Sequence, residues 1–394
     1  MATPFNVKKL IFSLITLLCV VIAVLYTLFS ARSRGPEHSN LSSPPAGQSS
    51  SATAGKSPSD AGTQSLNDVP RQTHQKTPSD LSTGGTASAT ASKVGSPSGT
   101  QAEARQEGKL HAVPRLVAIN LRDSPDLGKV EFAPLDAVDE QKTPTDLHCE
   151  RVYFAANKGI CLSRQIKMLS AQTVATLVDA NFQPITTFRT DGIPTRARIS
   201  PDGRFAAFTV FVTGHSYTDV QMSTATLLLN IEEGKIIANL EEFKVFKDGN
   251  EVKALDFNYW GVTFQRDSNF FYATLRTGGT DYLVHGDIKA KTVTVIYQNV
   301  DCPSLSPDET RIAFKKMLSR NNWRLSVLDL KTLQETPLAE TRIVDDQAEW
   351  LDNHRVLYSL PASPPWMDVM VVSSDGSGEP KIFAKGVTSP AVVR

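Results

Sequence analysis

The stretch "SPDGRFAAF" at 200–208 is nearly repeated as "SPDETRIAF" at 306–314. A chain that writes one turn-and-strand phrase twice is constrained to build the same local structure twice. With the turn aspartate as a ruler, Asp202 in "ISPDGRFAAF" and Asp308 in "LSPDETRIAF" are joined by Asp267 in "FQRDSNFFYA" and Asp352 in "EWLDNHRVLY", at intervals of 65, 41 and 44 residues. Four and six positions beyond each aspartate stand Ala206 and Phe208, Phe271 and Ala273, Ile312 and Phe314, Val356 and Tyr358. Successive side chains of a strand alternate between its faces, so each pair shares one face of the strand that leaves the turn.

After each of these strands comes a variable loop and then a hairpin: "TATLLLNIEEGKIIANL", "TDYLVHGDIKAKTVTVIY", "WRLSVLDLKTLQETPL" and "MDVMVVSSDGSGEPKIF". Each is a run of β-branched, aromatic and aliphatic residues, a polar turn, and a second such run. One unit is therefore strand, turn, strand, loop, strand, turn, strand, an antiparallel four-stranded blade recurring about every 40–45 residues. The 65-residue interval carries an insertion, "EEFKVFKDGNEVKALD", at 241–256. Helical periodicity is scarce, and the expected class is all-β.

The Pro-Asp turn, its strand and the "LSVLDLKT"-type hairpin resemble the repeat of TolB-like β-propellers, the periplasmic WD-type propellers with six blades. The resemblance covers about residues 145–394 and is strongest over 198–384. Asp267 and Asp352 lack the Ser-Pro that precedes the other two aspartates, so their blades rest on spacing and strand pattern. Five blades are expected at about 145–190, 191–252, 253–299, 300–345 and 346–388. A sixth must join the two ends of the domain, with "SPAVVR" (389–394) as its innermost strand and "RLVAINL" (115–121) and "KVEFAPL" (129–135) as its partners. Such a closure leaves no free sheet edge at the seam, and a five- or seven-bladed count is the competing reading. The resemblance implies a propeller that docks a protein or cell-envelope partner. It implies no particular reaction, because the same repeat accompanies peptidases, lyases and receptors.

Ahead of the propeller, expected over 111–394, the chain changes character. After a short tail, 1–9, the residues Leu10 to Phe29 carry no charge, proline or glycine, long enough to cross a bilayer as a helix. Lys8 and Lys9 precede this span and Arg32 and Arg34 follow it, so flanking charge does not set the orientation. A cleaved signal peptide fits less well than an uncleaved anchor, because Phe29 stands where a cleavage site needs a small residue. The linker 30–110 is built for disorder: from Leu41 to Thr100, 42 of 60 residues are Ser, Thr, Ala, Gly or Pro, too little apolar area to offset the entropy of ordering. As a flexible coil of about 80 residues at roughly 5–6 Å × √n, it reaches some 50 Å on average. That reach suits a periplasm or cell surface. The expected arrangement is a single-pass anchor with its N-terminus in the cytoplasm and the propeller, a monomer, outside.

The chain offers little recognisable chemistry. No G-x-S-x-G occurs, and the seven histidines show no H-x-H or H-E-x-x-H spacing. His148 beside Cys149 reads as a solvent-facing loop histidine. The turn aspartates read as turn formers that bond nearby backbone N–H groups, not as metal ligands. The residues taken to precede the turns, Ile199, Phe264, Leu305 and Trp350, are all apolar, so no polar set converges there. Lys plus Arg equal Asp plus Glu at 41 each, with no basic stripe, which argues against nucleic acid. No catalytic residue, metal or cofactor is expected. An enzyme of lactonase or glycan-lyase type, acting in the central funnel, is the alternative to a binding protein. Outside the apolar span the cysteines are Cys149, Cys161 and Cys302. A Cys149–Cys161 bridge requires Cys149 to sit off the strand, since a hairpin turning at Asn157 and Lys158 sets it opposite residue 166; buried free thiols are the other reading. Trp366, after "LPASPP", is a candidate partner contact.

Overall fold

The computed structural model describes residues 113–167, 170–213, 223–319, 322–363 and 366–394. The chain divides into units 1–91 and 92–394, and every described residue belongs to the second. The expected tail, apolar span and linker therefore lie outside the described residues, among which no helix is long and apolar enough to cross a membrane.

Six antiparallel sheets are built from strands in almost unbroken chain order. The first joins β1 (Arg115–Asn120), β2 (Lys129–Pro134) and β3 (Thr143–His148) to the last strand of the chain, β26 (Val387–Val393). The second holds β4 (Arg151–Ala155), β5 (Lys158–Lys167), β6 (Ser170–Val178) and β7 (Pro184–Asp191). In the third are β8 (Ile193–Ile199), β9 (Phe205–Thr213), β10 (Ser223–Asn230) and β11 (Lys235–Asn239). An excursion, β12 (Lys244–Lys247) and β13 (Asn250–Val252), precedes the fourth: β14 (Asn258–Phe264), β15 (Phe270–Thr277), β16 (Thr280–Asp287) and β17 (Thr292–Gln298). The fifth comprises β18 (Asp301–Leu305), β19 (Arg311–Ser319), β20 (Asn322–Asp329) and β21 (Glu335–Pro337). The sixth comprises β22 (Glu349–Trp350), β23 (Arg355–Pro361), β24 (Met367–Ser373) and β25 (Lys381–Ala384). The innermost strands β26, β4, β8, β14, β18 and β22 each touch the next, and β22 touches β26 again, which closes a six-bladed propeller around a channel.

The repeated phrase earns its recurrence through turn chemistry. Ser200 donates its hydroxyl to Asp202 at 2.7 Å and accepts the Phe205 N–H at 2.9 Å, while Asp202 accepts the Arg204 N–H at 3.0 Å. Ser306, Asp308, Thr310 and Arg311 repeat this arrangement at 2.6, 3.1 and 3.0 Å. Asp267 and Asp352, which lack the Ser-Pro, still accept the N–H two residues on, from Asn269 and His354. Beyond the turns, Ala206, Phe208, Ile312 and Phe314 are at most 1% exposed and fill the layers between blades.

The first blade, which joins both ends of the domain, closes as the end strands imply. Arg115 pairs with Val393 and Val117 with Ala391, while Ser389 both donates to the carbonyl of Val152 and accepts its N–H, at 3.0 and 3.1 Å. Two boundaries differ from expectation. Residues 143–148 form β3, the outer strand of the closing blade, so the next blade begins at Arg151 and not near 145. The insertion does not hang from its own blade. It makes a 3-10 turn at Leu240–Glu242 and the β12–β13 hairpin, and β12 pairs parallel with β17, widening the fourth blade to six strands. Burial explains the placement: Leu240, Phe243 and Val245 are at most 3% exposed in the cluster around Phe271 and Val293.

Cys149 and Cys161 form a disulfide, with Cα atoms 5.4 Å apart. The hairpin turns at Ala156 and Asn157, both at positive φ, one residue earlier than expected, and pairs Cys161 with Val152. Cys149 lies off the ladder in the link between β3 and β4, which lets it reach Cys161 and staples the closing blade to its neighbour. The bridge also removes Cys149 from any metal or nucleophile pairing with His148.

A polar ring at the turn-side mouth of the channel

The Pro-Asp turns all lie on one face of the propeller, and each innermost strand ends there. Just inside this face a cavity of about 200 Å³ is lined by Tyr153, Arg198, Thr263, Ser304, Glu349 and Arg394, one from each innermost strand or the residue that follows it. The ladder explains why these residues meet. Arg198, Thr263, Ser304 and Glu349 pair with Ala207, Tyr272, Ala313 and Leu357, in each case the fifth residue after the turn aspartate. They occupy one structural position, and its side chain faces the axis. Ile199, Phe264, Leu305 and Trp350 sit one step on, packing into the clusters between blades and also contributing to the cavity wall.

The expectation that no polar set converges was therefore drawn from the wrong face of the strands. Moving back one residue finds an arginine, a threonine, a serine and a glutamate. Alternation carried this signal, because in a two-residue period an apolar position facing the core implies that its neighbour faces the channel.

The ring is internally bonded. Arg198 and Glu349 are 3.5 Å apart, with side chains 9% and 5% exposed. Arg198 also donates to the carbonyl of Ala348 at 2.8 Å, from the blade opposite its own, and lies 4.4 Å from the centre of the Tyr153 ring. Glu349 accepts the Tyr153 hydroxyl at 3.5 Å and the Val392 N–H at 3.4 Å. Arg394 donates to the carbonyl of Trp350. Burial pushes the Glu349 carboxyl up, and Arg198 and Arg394 oppose it; burial and the Glu349 charge both raise the Tyr153 phenol. At the rim stand Arg266 and Glu309, the latter accepting the Arg266 backbone N–H.

Deeper in the channel a second polar group holds the blades together. Lys315, fully buried, pairs with Asp301 at 3.0 Å and Asp345 at 2.8 Å, and Asp301 accepts the Trp260 indole N–H at 2.6 Å. Burial alone would lower the Lys315 amine, but the charges of Asp301 and Asp345 outweigh it and hold the amine above its ordinary value. The Cys302 thiol, buried and free, is pushed up to about 12 by desolvation and accepts a bond from Arg196 at 3.3 Å. Gln347 reaches the carbonyls of Val262 and Pro303 at 3.3 and 2.7 Å. These contacts cross from blade to blade, and the Asp345 side chain, 60% exposed, opens the cluster to solvent.

Trp366 is placed elsewhere. It lies half-buried between β23 and β24, on the face opposite the turns, beside an open hollow of about 330 Å³ that includes Arg122 and Asp368. The fold does not bring it to the ring.

No protein-family model matches the sequence, and no curated protein matches it either. Solved structures do resemble it. TolB from Acinetobacter baumannii superposes with a TM-score of 0.50 at 16% identity, over 72% of this chain and 67% of that one. A functionally unknown protein from Desulfotomaculum acetoxidans gives 0.43 at 11% identity, over 72% of this chain and 99% of that one. In sheet order, strand pairing and ring closure, the described residues form a TolB-like six-bladed β-propeller.

Proposed function

We propose that the protein is a membrane-anchored binding module, whose propeller docks a segment of a protein or cell-envelope partner at the turn-side mouth of its channel. The observation that carries this reading is the state of the ring: its buried ionisable groups neutralise one another, while the mouth stays open and its rim arginines stay exposed. A general acid or base needs a proton to exchange with substrate, and a carboxylate committed to one buried guanidinium, a phenol and a backbone N–H is poorly placed to supply one. The same contacts make a rigid floor for a docking surface. The apolar run Leu10 to Phe29 and the long polar linker support an extracytoplasmic propeller held away from a bilayer.

Photo-crosslinking tests the reading in cells. A benzophenone side chain in place of Pro201, exposed on the lining of the mouth, should trap a discrete partner, and the same group in place of the exposed Ile382 on the outer strand should not. Equal labelling from both positions, or none from the mouth, counts against it. A compartment reporter fused after Arg394 should be active outside the cytoplasm.

A further inference from the structure

We infer that the turn-side mouth is a carboxylate site, taking an acidic side chain of a partner peptide; this rests on the mouth being the docking surface. Three arginines, Arg198, Arg266 and Arg394, line the cavity with two glutamates, Glu309 and Glu349. Their donors are unequally used. Arg198 is committed to Glu349 and to the carbonyls of Ala197 and Ala348. Arg266 and Arg394 each spend one side-chain N–H, on the carbonyls of Pro307 and Trp350, and among the described residues neither forms a side-chain ion pair. A guanidinium carries five N–H donors in a planar fork that matches a carboxylate, so both keep donors for an incoming anion.

Size and charge narrow the occupant. The cavity, about 200 Å³, is smaller than the roughly 300–1,000 Å³ of a typical small-molecule cleft. It suits one side chain reaching in from a larger surface. A doubly charged phosphate would bring more charge toward the buried Glu349 at the floor than a carboxylate does. The floor thus selects a monoanion, and the rim arginines grip it.

The test uses the full chain in non-ionic detergent with a fluorescein-labelled hexaglutamate peptide. Hexaglutamate should bind, hexaglutamine should bind at least tenfold more weakly, and the affinity should fall with added salt. Replacing both Arg266→Gln and Arg394→Gln should lower hexaglutamate affinity at least tenfold while the melting temperature is unchanged. Equal binding of hexaglutamine, or no effect of the paired substitutions, overturns the inference. So does displacement of the peptide by inorganic phosphate at concentrations where acetate has no effect, or binding to phosphatidylglycerol vesicles that survives both substitutions. The two readings fail separately. A partner trapped through position 201 by a segment without Asp or Glu overturns the carboxylate assignment and leaves the docking surface standing, whereas hexaglutamate binding without any trapped partner counts against the docking surface.

Discussion

Arg198 and Glu349, contributed by blades on opposite sides of the channel, meet 3.5 Å apart with almost no solvent on either side chain. The pair closes the centre of the propeller as the β1–β26 ladder closes its circumference. Two buried charges were taken out of water to make it, so each depends on the other for compensation. Glu349→Ala leaves a buried guanidinium short of its partner and should cost about 3–5 kcal/mol. Replacing both, as Arg198→Met with Glu349→Leu, should recover most of that loss. Urea denaturation of the single and double variants checks the coupling.

The circumferential closure makes its own prediction. Ala391 and Val392 are buried, and residues 387–393 supply the innermost strand of a blade whose other strands come from the opposite end of the domain. Deleting 391–394 removes three of the five register pairs with β1 and exposes the seam, so the melting temperature should fall steeply and the transition should broaden. An unchanged melting curve would show that the ring is held without this strand.

The Cys149–Cys161 bridge closes a short loop, with a sequence separation of 12. For loops of about 15 residues the chain-entropy model gives about 3 kcal/mol at room temperature. Reduction, or Cys149→Ser with Cys161→Ser, should lower unfolding stability by roughly that amount. Non-reducing peptide mapping should recover the linked pair, with Cys302 alkylated only after unfolding.

Two carboxylates give stability opposite slopes with pH. Burial would raise Asp308, but bonds from Ser306 and Thr310 prevail and hold it at about 2. Its contribution is present above the unfolded value of about 3.9 and is lost as the pH falls toward 2. Glu241 is pushed up to about 7 by burial, against bonds from the N–H groups of Thr226 and Tyr259. A raised carboxylate binds its proton more tightly when folded, so its contribution is full below about 4.3 and is lost as the pH rises to 7. Denaturation midpoints across pH 2–8 should therefore peak near pH 4 for these two groups. Asp308→Asn should flatten the acid limb, and Glu241→Gln the neutral one.

Packing at Gly261 offers a sharper probe of the blade interface. This glycine has φ +66°, and a Cβ there would stand 2.8 Å from the Cα of Cys302 on the next innermost strand. Both the backbone and the neighbour resist a side chain, so Gly261→Ala should destabilise by more than the approximately 1 kcal/mol ordinary for a glycine replaced in an unfavourable conformation. Thermal unfolding of the variant measures it.

What could be read in advance followed from local rules. The turn aspartates and the paired residues four and six positions on located the second strand of four blades, because turn chemistry and side-chain alternation act within about ten residues. The leftover runs at 115–121, 129–135 and 389–394 sufficed to foresee ring closure, because an unpaired edge demands a partner. The third outer strand at 143–148 escaped notice: "TPTDLH" is polar, and its outward side chains leave it no apolar pattern. The β12–β13 hairpin could be recognised as an insertion but not assigned to a sheet, since parallel pairing with β17 leaves no mark of its own in either segment.

The amino-acid sequence by itself determined the blade, its repeat and its closure, all of which rest on periodicity and turn residues that neighbours along the chain enforce. Only the tertiary structure decided which side chains share the channel. Arg198, Glu349 and Arg394 are far apart in the chain and acquire a common environment through strand register, which a single-residue shift would turn from axis to core. It also decided the reach of Cys149 to Cys161, because the hairpin turned one residue early and left Cys149 free of the ladder.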